Sequence, residues 1–268
     1  MKSASAESRS IYFDLQAGWG VSKHLGGGAA TRELASLCSI DAASDVLVAG
    51  CGNGFSACAL AHDLGCRVEG IDINPAMVKQ SAERADRLGL AERVAFREAD
   101  ARELPFPEGR FDVVFSESVN SFVPEPTVAL CEYSRVLADA GRVGINECVW
   151  LEPPPAGLAR YMQRVMGARF LVAGDAWETL LGEAGFTSPT ASIRRMTLMG
   201  QWKSEMEQLD ARQVLRAWLT LPWTIATDAE SRRWVLSTLA APPATMRLLH
   251  YFGYGLFTAT KPPRRTDS

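Results

Sequence analysis

One stretch constrains this chain more than any other: Asp45-Val-Leu-Val-Ala-Gly50-Cys-Gly52-Asn-Gly54-Phe couples an apolar run directly to a glycine-rich turn. Val46 to Val48 read as a short buried strand, and Ser56 to Leu64 then read as a helix. Glycines at alternate positions leave no side chain between the backbone and whatever lies above the strand end. They also accept the positive φ that a sharp strand-to-helix turn needs. Such a unit is how an open α/β sheet holds a nucleotide-like ligand at its carboxyl edge.

Taken alone the pattern is weak, and the strands after it give it weight. Arg67 to Ile71 read as a second strand ending in Asp72, with Ile73-Asn74-Pro75 opening the next helix. That acid lies about 20 residues past the turn, the spacing at which a carboxylate reaches ribose hydroxyls. A third strand, Val94 to Glu98, runs into Asp100-Ala101; a fourth, Phe111 to Phe115, ends in Ser116-Glu117-Ser118; a fifth, Arg142 to Ile145, ends in Asn146-Glu147. Four consecutive strands thus carry a polar or acidic residue where the sheet gives way to a loop.

In this order the motifs resemble the class I S-adenosylmethionine-dependent methyltransferases, and within them the small-molecule, ubiquinone/menaquinone-type branch (methyltransferase domain 11-like). The resemblance covers roughly residues 10 to 200. It implies a doubly wound, Rossmann-like seven-stranded sheet with an antiparallel last strand, N-terminal lid helices and a helical insertion before that strand. It also implies S-adenosylmethionine as cofactor and S-adenosylhomocysteine as product. Gly50, Cys51, Gly52, Asn53 and Gly54 match the cofactor loop under the methionine and ribose portions; Asp72, with Ile73 beside it, matches the acid that takes the two ribose hydroxyls. Asp100 with Ala101 matches the pair that reads the adenine, and Ser116 is placed in the cofactor set. Leu104-Pro105-Phe106, Phe111-Asp112-Val113-Val114, Arg135-Val136-Leu137, Gly141, Trp177 and Ala184-Gly185-Phe186 match further family positions. One departure stands out: the family usually places an acid in the first strand where this chain has Val48.

A nicotinamide-binding domain is the rival reading, since Gly52-x-Gly54-x-x-Ala57 with Asp72 satisfies the loose dinucleotide fingerprint. Against it, Gly50 starts the loop two residues early, Asp100 has no role in holding a pyrophosphate, and no Tyr-x-x-x-Lys pair is present. An S-adenosylmethionine-binding regulatory or assembly protein without methyl transfer stays open as well.

With 268 residues, 47% hydrophobic and 22% charged, the chain reads as one α/β domain with additions. A net charge of −3 and the lack of a basic stripe with interleaved aromatics argue against a nucleic-acid partner. No run approaches the roughly 18 apolar residues of a membrane span. The first ten residues lack the apolar core of a signal peptide, so the expectation is a cytoplasmic protein with reduced thiols. The six cysteines show no C-x-x-C spacing, and no metal is expected.

Four segments are expected: a lid and linker helix over 1–41, a cofactor-binding core over 42–200, a Trp-rich helical cap over 201–249, and a final strand and tail over 250–268. The lid carries Tyr12, expected to touch the acceptor, and His24 before Gly26-Gly27-Gly28. The sixth strand is expected over Ile193 to Leu198 and the last over Tyr251 to Phe257. Trp202, Met206, Leu209, Leu215, Trp218, Trp223 and Trp234 in the insertion fit an apolar acceptor cap or the interface of a homodimer. Lastly, Glu117 and Glu147 end strands that are neighbours in the resembled fold, with Asn120 just beyond. The expectation is that the two acids converge, orient a polar small-molecule acceptor with Asn120, and that one of them takes its proton.

Overall fold

The computed structural model describes residues 24–197 and, beyond them, 200, 215, 219, 223, 226–239 and 241–264. Tyr12, Trp202, Met206, Leu209 and Trp218 lie outside the described residues. Eight strands make one sheet: β1 Asp45–Ala49, β2 Arg67–Asp72, β3 Val94–Glu98, β4 Phe111–Glu117, β5 Leu137–Trp150, β6 Val172–Ala173, β7 Thr187–Arg195 and β8 Phe252–Thr260. Seven of them run in the order β3-β2-β1-β4-β5-β8-β7, and the two-residue β6 pairs with β5 off that path. Only β8 is antiparallel to its neighbours β5 and β7. This is the expected doubly wound sheet with an antiparallel last strand; the two-residue β6 is an eighth strand beside the seven expected.

Helices α1 Gly27–Leu37, α2 Phe55–Leu64, α3 Pro75–Arg87, α4 Pro126–Val136, α5 Ala156–Met166, α6 Gly174–Glu183 and α7 Ala229–Leu239 surround it, with a one-turn α8 Leu248–Tyr251. Strand alternation sorts the core into two layers, because successive side chains leave opposite faces. Val46, Val48, Val113 and Phe115 pack under α1 and α2 with Leu34, Ala57 and Leu60. Leu47, Ala49, Val114, Val143 and Ile145 pack against Leu130 and Tyr133 of α4 and Trp177 of α6. Phe115 and Tyr133 are fully buried, so truncating either to Ala would cost about 3–5 kcal/mol. The start of α3 is set locally: Asn74 caps it by accepting the Ala76 N–H, and Pro75 fills its first turn.

Two strands differ from the expectation. β5 continues to Trp150, so its carboxyl end overhangs β4, whose last residue pairs with Asn146. β7 begins at Thr187 and ends at Arg195, six residues earlier than Ile193 at its start. It is an edge strand with eight of nine residues exposed, so burial imposes no apolar alternation on it. A third apolar cluster sits beyond the sheet, where Cys148, Trp150 and Phe252 meet Leu158 and Met162 of α5.

Candidate functional site

The glycine turn is built by backbone geometry. Gly50, Gly52 and Gly54 have φ of +70°, +54° and +79°, in the left-handed region that side chains resist. A Cβ on Gly50 would collide with Val119, and one on Gly54 would lie 2.9 Å from Ser81 Cα. Asp72 locks the turn to the second strand: one carboxylate oxygen accepts the Gly52 N–H at 2.9 Å and the other accepts the Asn74 N–H at 2.9 Å. Ser81 donates to the Gly52 carbonyl and Arg84 to the Asn53 carbonyl. Cys51 and Asn53 are buried, and the Cys51 thiol lies against the Gly52 carbonyl and the Ser81 hydroxyl. Ile73 is half-buried beside Asp72.

Asp100 also stands at its expected strand end, half-buried, with Ala101 buried behind it. Burial alone would raise its pKa, but the forked Arg102 guanidinium, 2.7 Å away at its closest, and the Arg102 N–H outweigh it and hold the carboxyl below its usual range. Among the described residues no group of three or more His, Cys, Asp or Glu side chains could hold a metal ion.

Glu117 and Glu147 do not converge, and this corrects the sequence expectation. The register pairs Glu117 with Asn146, so Glu147, one residue on, points to the opposite face of the sheet. There Glu147 is fully buried and accepts the N–H groups of Val119, Asn120 and Ser121, the Asn120 amide and the Ser121 hydroxyl. Burial pushes its pKa up and these donors pull it back, with burial the larger effect. It ties down the turn after β4.

Asn120 and Ser116 belong to that same network. The Asn120 amide nitrogen donates to Ser116 and Glu147, and its oxygen accepts from the Tyr133 hydroxyl. Both side chains are fully buried. Both side chains, expected to meet the acceptor and the cofactor, are engaged inward in this network. Cys148 donates to the Ser121 hydroxyl, and burial pushes its thiol up to about 12, which leaves it a poor nucleophile.

On the other face, the site gathers residues that the motifs did not mark. Glu117 accepts from Ser56 Oγ at 2.6 Å, from Thr31 Oγ1 at 3.1 and 3.2 Å, and from Asn146 Nδ2 at 3.4 Å. His24 Nε2 lies 3.0 Å from Thr31 Oγ1 and 3.7 Å from Glu117. Thr31 and Ser56 are neutral hydroxyls inside helices, with no motif to mark them. The signal available was parity: Val113, Phe115 and Glu117 share a face, and so do Val143, Ile145 and Glu147.

A glycine cradle, two partly exposed carboxylates at successive strand ends and a buried polar cluster beside the loop fit an adenosine carrying a charged amino-acid tail. Known proteins agree. Residues 47–145 match the family model described as "Methyltransferase domain". The chain is 31% identical over 184 residues to the 27-O-demethylrifamycin SV methyltransferase of Amycolatopsis mediterranei, covering 67% of each chain. It is 32% identical to the uncharacterized methyltransferase YodH of Bacillus subtilis, over 68% of this chain and 77% of that one. The fold is that of the [4+2]-cyclase SpnF, with a TM-score of 0.76 and 22% identity over 98% and 97% of the two chains. It is also that of a geranyl diphosphate C-methyltransferase from Streptomyces coelicolor, with a TM-score of 0.64 and 16% identity over 87% and 80%. A cyclase on this scaffold shows that the fold alone does not name the reaction. The sequence relatives do: the chain belongs to the methyltransferase domain family, and is a class I enzyme that uses S-adenosylmethionine to methylate a small molecule and releases S-adenosylhomocysteine.

Proposed function

We propose that the acceptor is a hydroxyl group on a large, mainly apolar small molecule. The carrying observation is the overhang of β5: past Asn146 the strand runs on through Cys148 to Trp150 and meets Phe252, Leu158 and Met162. This apolar cluster adjoins the polar one through Leu25, which packs on it and whose carbonyl accepts the Asn146 amide, and apolar surface beside a few polar groups suits a small-molecule site. Names of relatives support the hydroxyl: the rifamycin enzyme, and a tocopherol O-methyltransferase of Arabidopsis thaliana that is 35% identical over 98 residues, 37% of this chain and 28% of that one.

S-adenosylmethionine supplies an already activated methyl electrophile with a neutral thioether leaving group. What remains for the protein is to hold the two reactants in line and to exclude water. In this reading Gly50, Gly52 and Gly54 cradle the cofactor, Asp72 takes the ribose hydroxyls and Asp100 faces the adenine. The cofactor core spans 42–200, and the acceptor cap expected over 201–249 falls in large part outside the described residues. The compartment is the cytoplasm; no helix among the described residues is long and apolar enough to cross a membrane. A homodimer through the exposed Leu215, Leu219 and Trp223 is the subordinate reading of that segment.

Incubating the protein with methyl-labelled cofactor and matched phenols, alcohols, amines and thiols on apolar scaffolds tests the assignment. Label should pass to the oxygen acceptors, with saturation at lower concentration for the more apolar scaffold. Transfer to amines or thiols alone would overturn it.

A further inference from the structure

The polar cluster around Glu117 is incomplete in a specific way. Its carboxylate side chain is only 4% exposed, and it is surrounded by neutral donors: the Ser56 and Thr31 hydroxyls and the Asn146 amide. Among the described residues the basic group nearest to it is His24, at 3.7 Å. No Arg or Lys among them pairs with it, in contrast to Asp45, Asp100 and Glu132, each held by a guanidinium. A carboxylate taken out of water is costly unless a cation meets it.

Next to it is a second unfilled position. Asn146 is fully buried, and its amide nitrogen donates to the Leu25 carbonyl at 2.8 Å and to Glu117. Its carbonyl oxygen is buried without a hydrogen-bond partner. Buried acceptors are rarely left so. A buried carboxylate with no Arg or Lys partner among the described residues and, beside it, an amide oxygen without a donor make a receptor for a group that is cationic and carries several N–H bonds: an ammonium.

The register says which ammonium. β1 and β4 pair Ala49 with Ser116, which brings Glu117 beside Gly50, the loop residue that lies under the methionine portion of the cofactor. On the same face of the sheet, Val48 pairs with Phe115 and is buried among apolar side chains. β1 therefore brings no acid to this face at the loop, and Glu117 stands two residues further along the neighbouring strand. We propose that Glu117, with the Asn146 carbonyl oxygen, receives the α-ammonium group of the cofactor, taking over from β4 the charge that β1 lacks. The site's ligand is thereby recognised at both ends, by Asp72 and Asp100 at the nucleoside and by Glu117 at the amino acid. This role rests on the cofactor assignment above, and it makes Glu117 a binding residue rather than the acceptor's base.

Calorimetry with three ligands tests it. S-adenosylhomocysteine carries the ammonium but no sulfonium; its deaminated analogue keeps the carboxylate alone; 5′-methylthioadenosine has neither. The wild-type protein should bind S-adenosylhomocysteine at least tenfold more tightly than the deaminated analogue. Glu117→Gln should erase most of that ratio while leaving 5′-methylthioadenosine affinity unchanged, and adding Val48→Asp should restore part of it. Because the ratio is internal to each variant, loss of active protein does not mimic the result. If Glu117→Gln does not fold, Asn146→Ala is read by the same ratio, which should fall severalfold. A ratio unchanged in the variant that folds overturns the inference while leaving the cofactor assignment intact. Failure of the wild-type protein to bind any of the three ligands overturns that assignment itself.

Discussion

Two glutamates on adjacent strands have opposite surroundings. Glu147 lies on the α4 face, meets five donors, and holds the turn after β4. Glu117 lies on the α1 face among hydroxyls and an amide, beside a buried carbonyl oxygen without a partner. Proximity in the fold therefore did not bring them together, because one residue of register turns a strand's side chain to the other side of the sheet. The network around Glu147 ties protein to protein, whereas Glu117 has no Arg or Lys partner among the described residues.

Replacing each acid measures that difference, and the largest effect is expected at Glu147. Glu147→Ala strands five buried donors, so thermal unfolding should report a loss on the order of 3–5 kcal/mol. Glu117→Gln is near-isosteric and keeps an acceptor oxygen, and it should cost no more than about 1 kcal/mol. Equal losses in the two variants would break the contrast between a structural acid and a binding acid.

Next in size is Asp72→Ala, which separates a third kind of acid from these two. Its oxygens already hold the Gly52 and Asn74 N–H groups, and in the proposed site they also accept the ribose hydroxyls. Affinity for S-adenosylhomocysteine should fall at least tenfold, and 5′-methylthioadenosine should fall with it, since both carry the ribose. That shared loss is what Glu117→Gln should not show. Unchanged affinity for both ligands would remove Asp72 from the cofactor site.

Much of this was legible from local sequence. The apolar run of β1 leading into the glycine turn, and strands β2 and β4 ending in Asp72 and Glu117, fix the sheet and the loop, because parallel strands buried on both faces read as largely hydrophobic segments. Asp72 and Asp100 were found where the strand ends put them. What was not legible depends on pairing between strands far apart in sequence. The face that Glu147 takes is set by Glu117 lying opposite Asn146, and no local pattern states that register. Thr31 joins Glu117 across 86 residues and Ser56 across 61, so neither signals its role within its own helix. β7 was misplaced because an exposed edge strand has no buried face to impose alternation.

Acid titration gives the smallest and most selective separation. Among the Arg-paired carboxylates, Asp45 is lowered chiefly by Arg67 and Glu132 chiefly by Arg135. Asp100 is lowered by Arg102 against the opposing effect of its burial. For these three the unfolded chain binds protons more readily, so the stability they contribute is present above the ordinary carboxylate range, near pH 4. It is lost as pH falls through their lowered folded values. Glu147 has the opposite sign. Burial raises it, so its folded form holds a proton more readily, and its contribution is fullest below the ordinary range and declines as pH rises through the raised value. Melting temperature measured from pH 7 down to pH 3 should hold or rise slightly at first and then fall below about pH 4. Asp100→Asn should make that final fall shallower without moving the upper region, and Glu147→Gln should flatten the upper region alone. A variant that reshapes both regions would show that Glu147 and the Arg-paired carboxylates titrate as one unit.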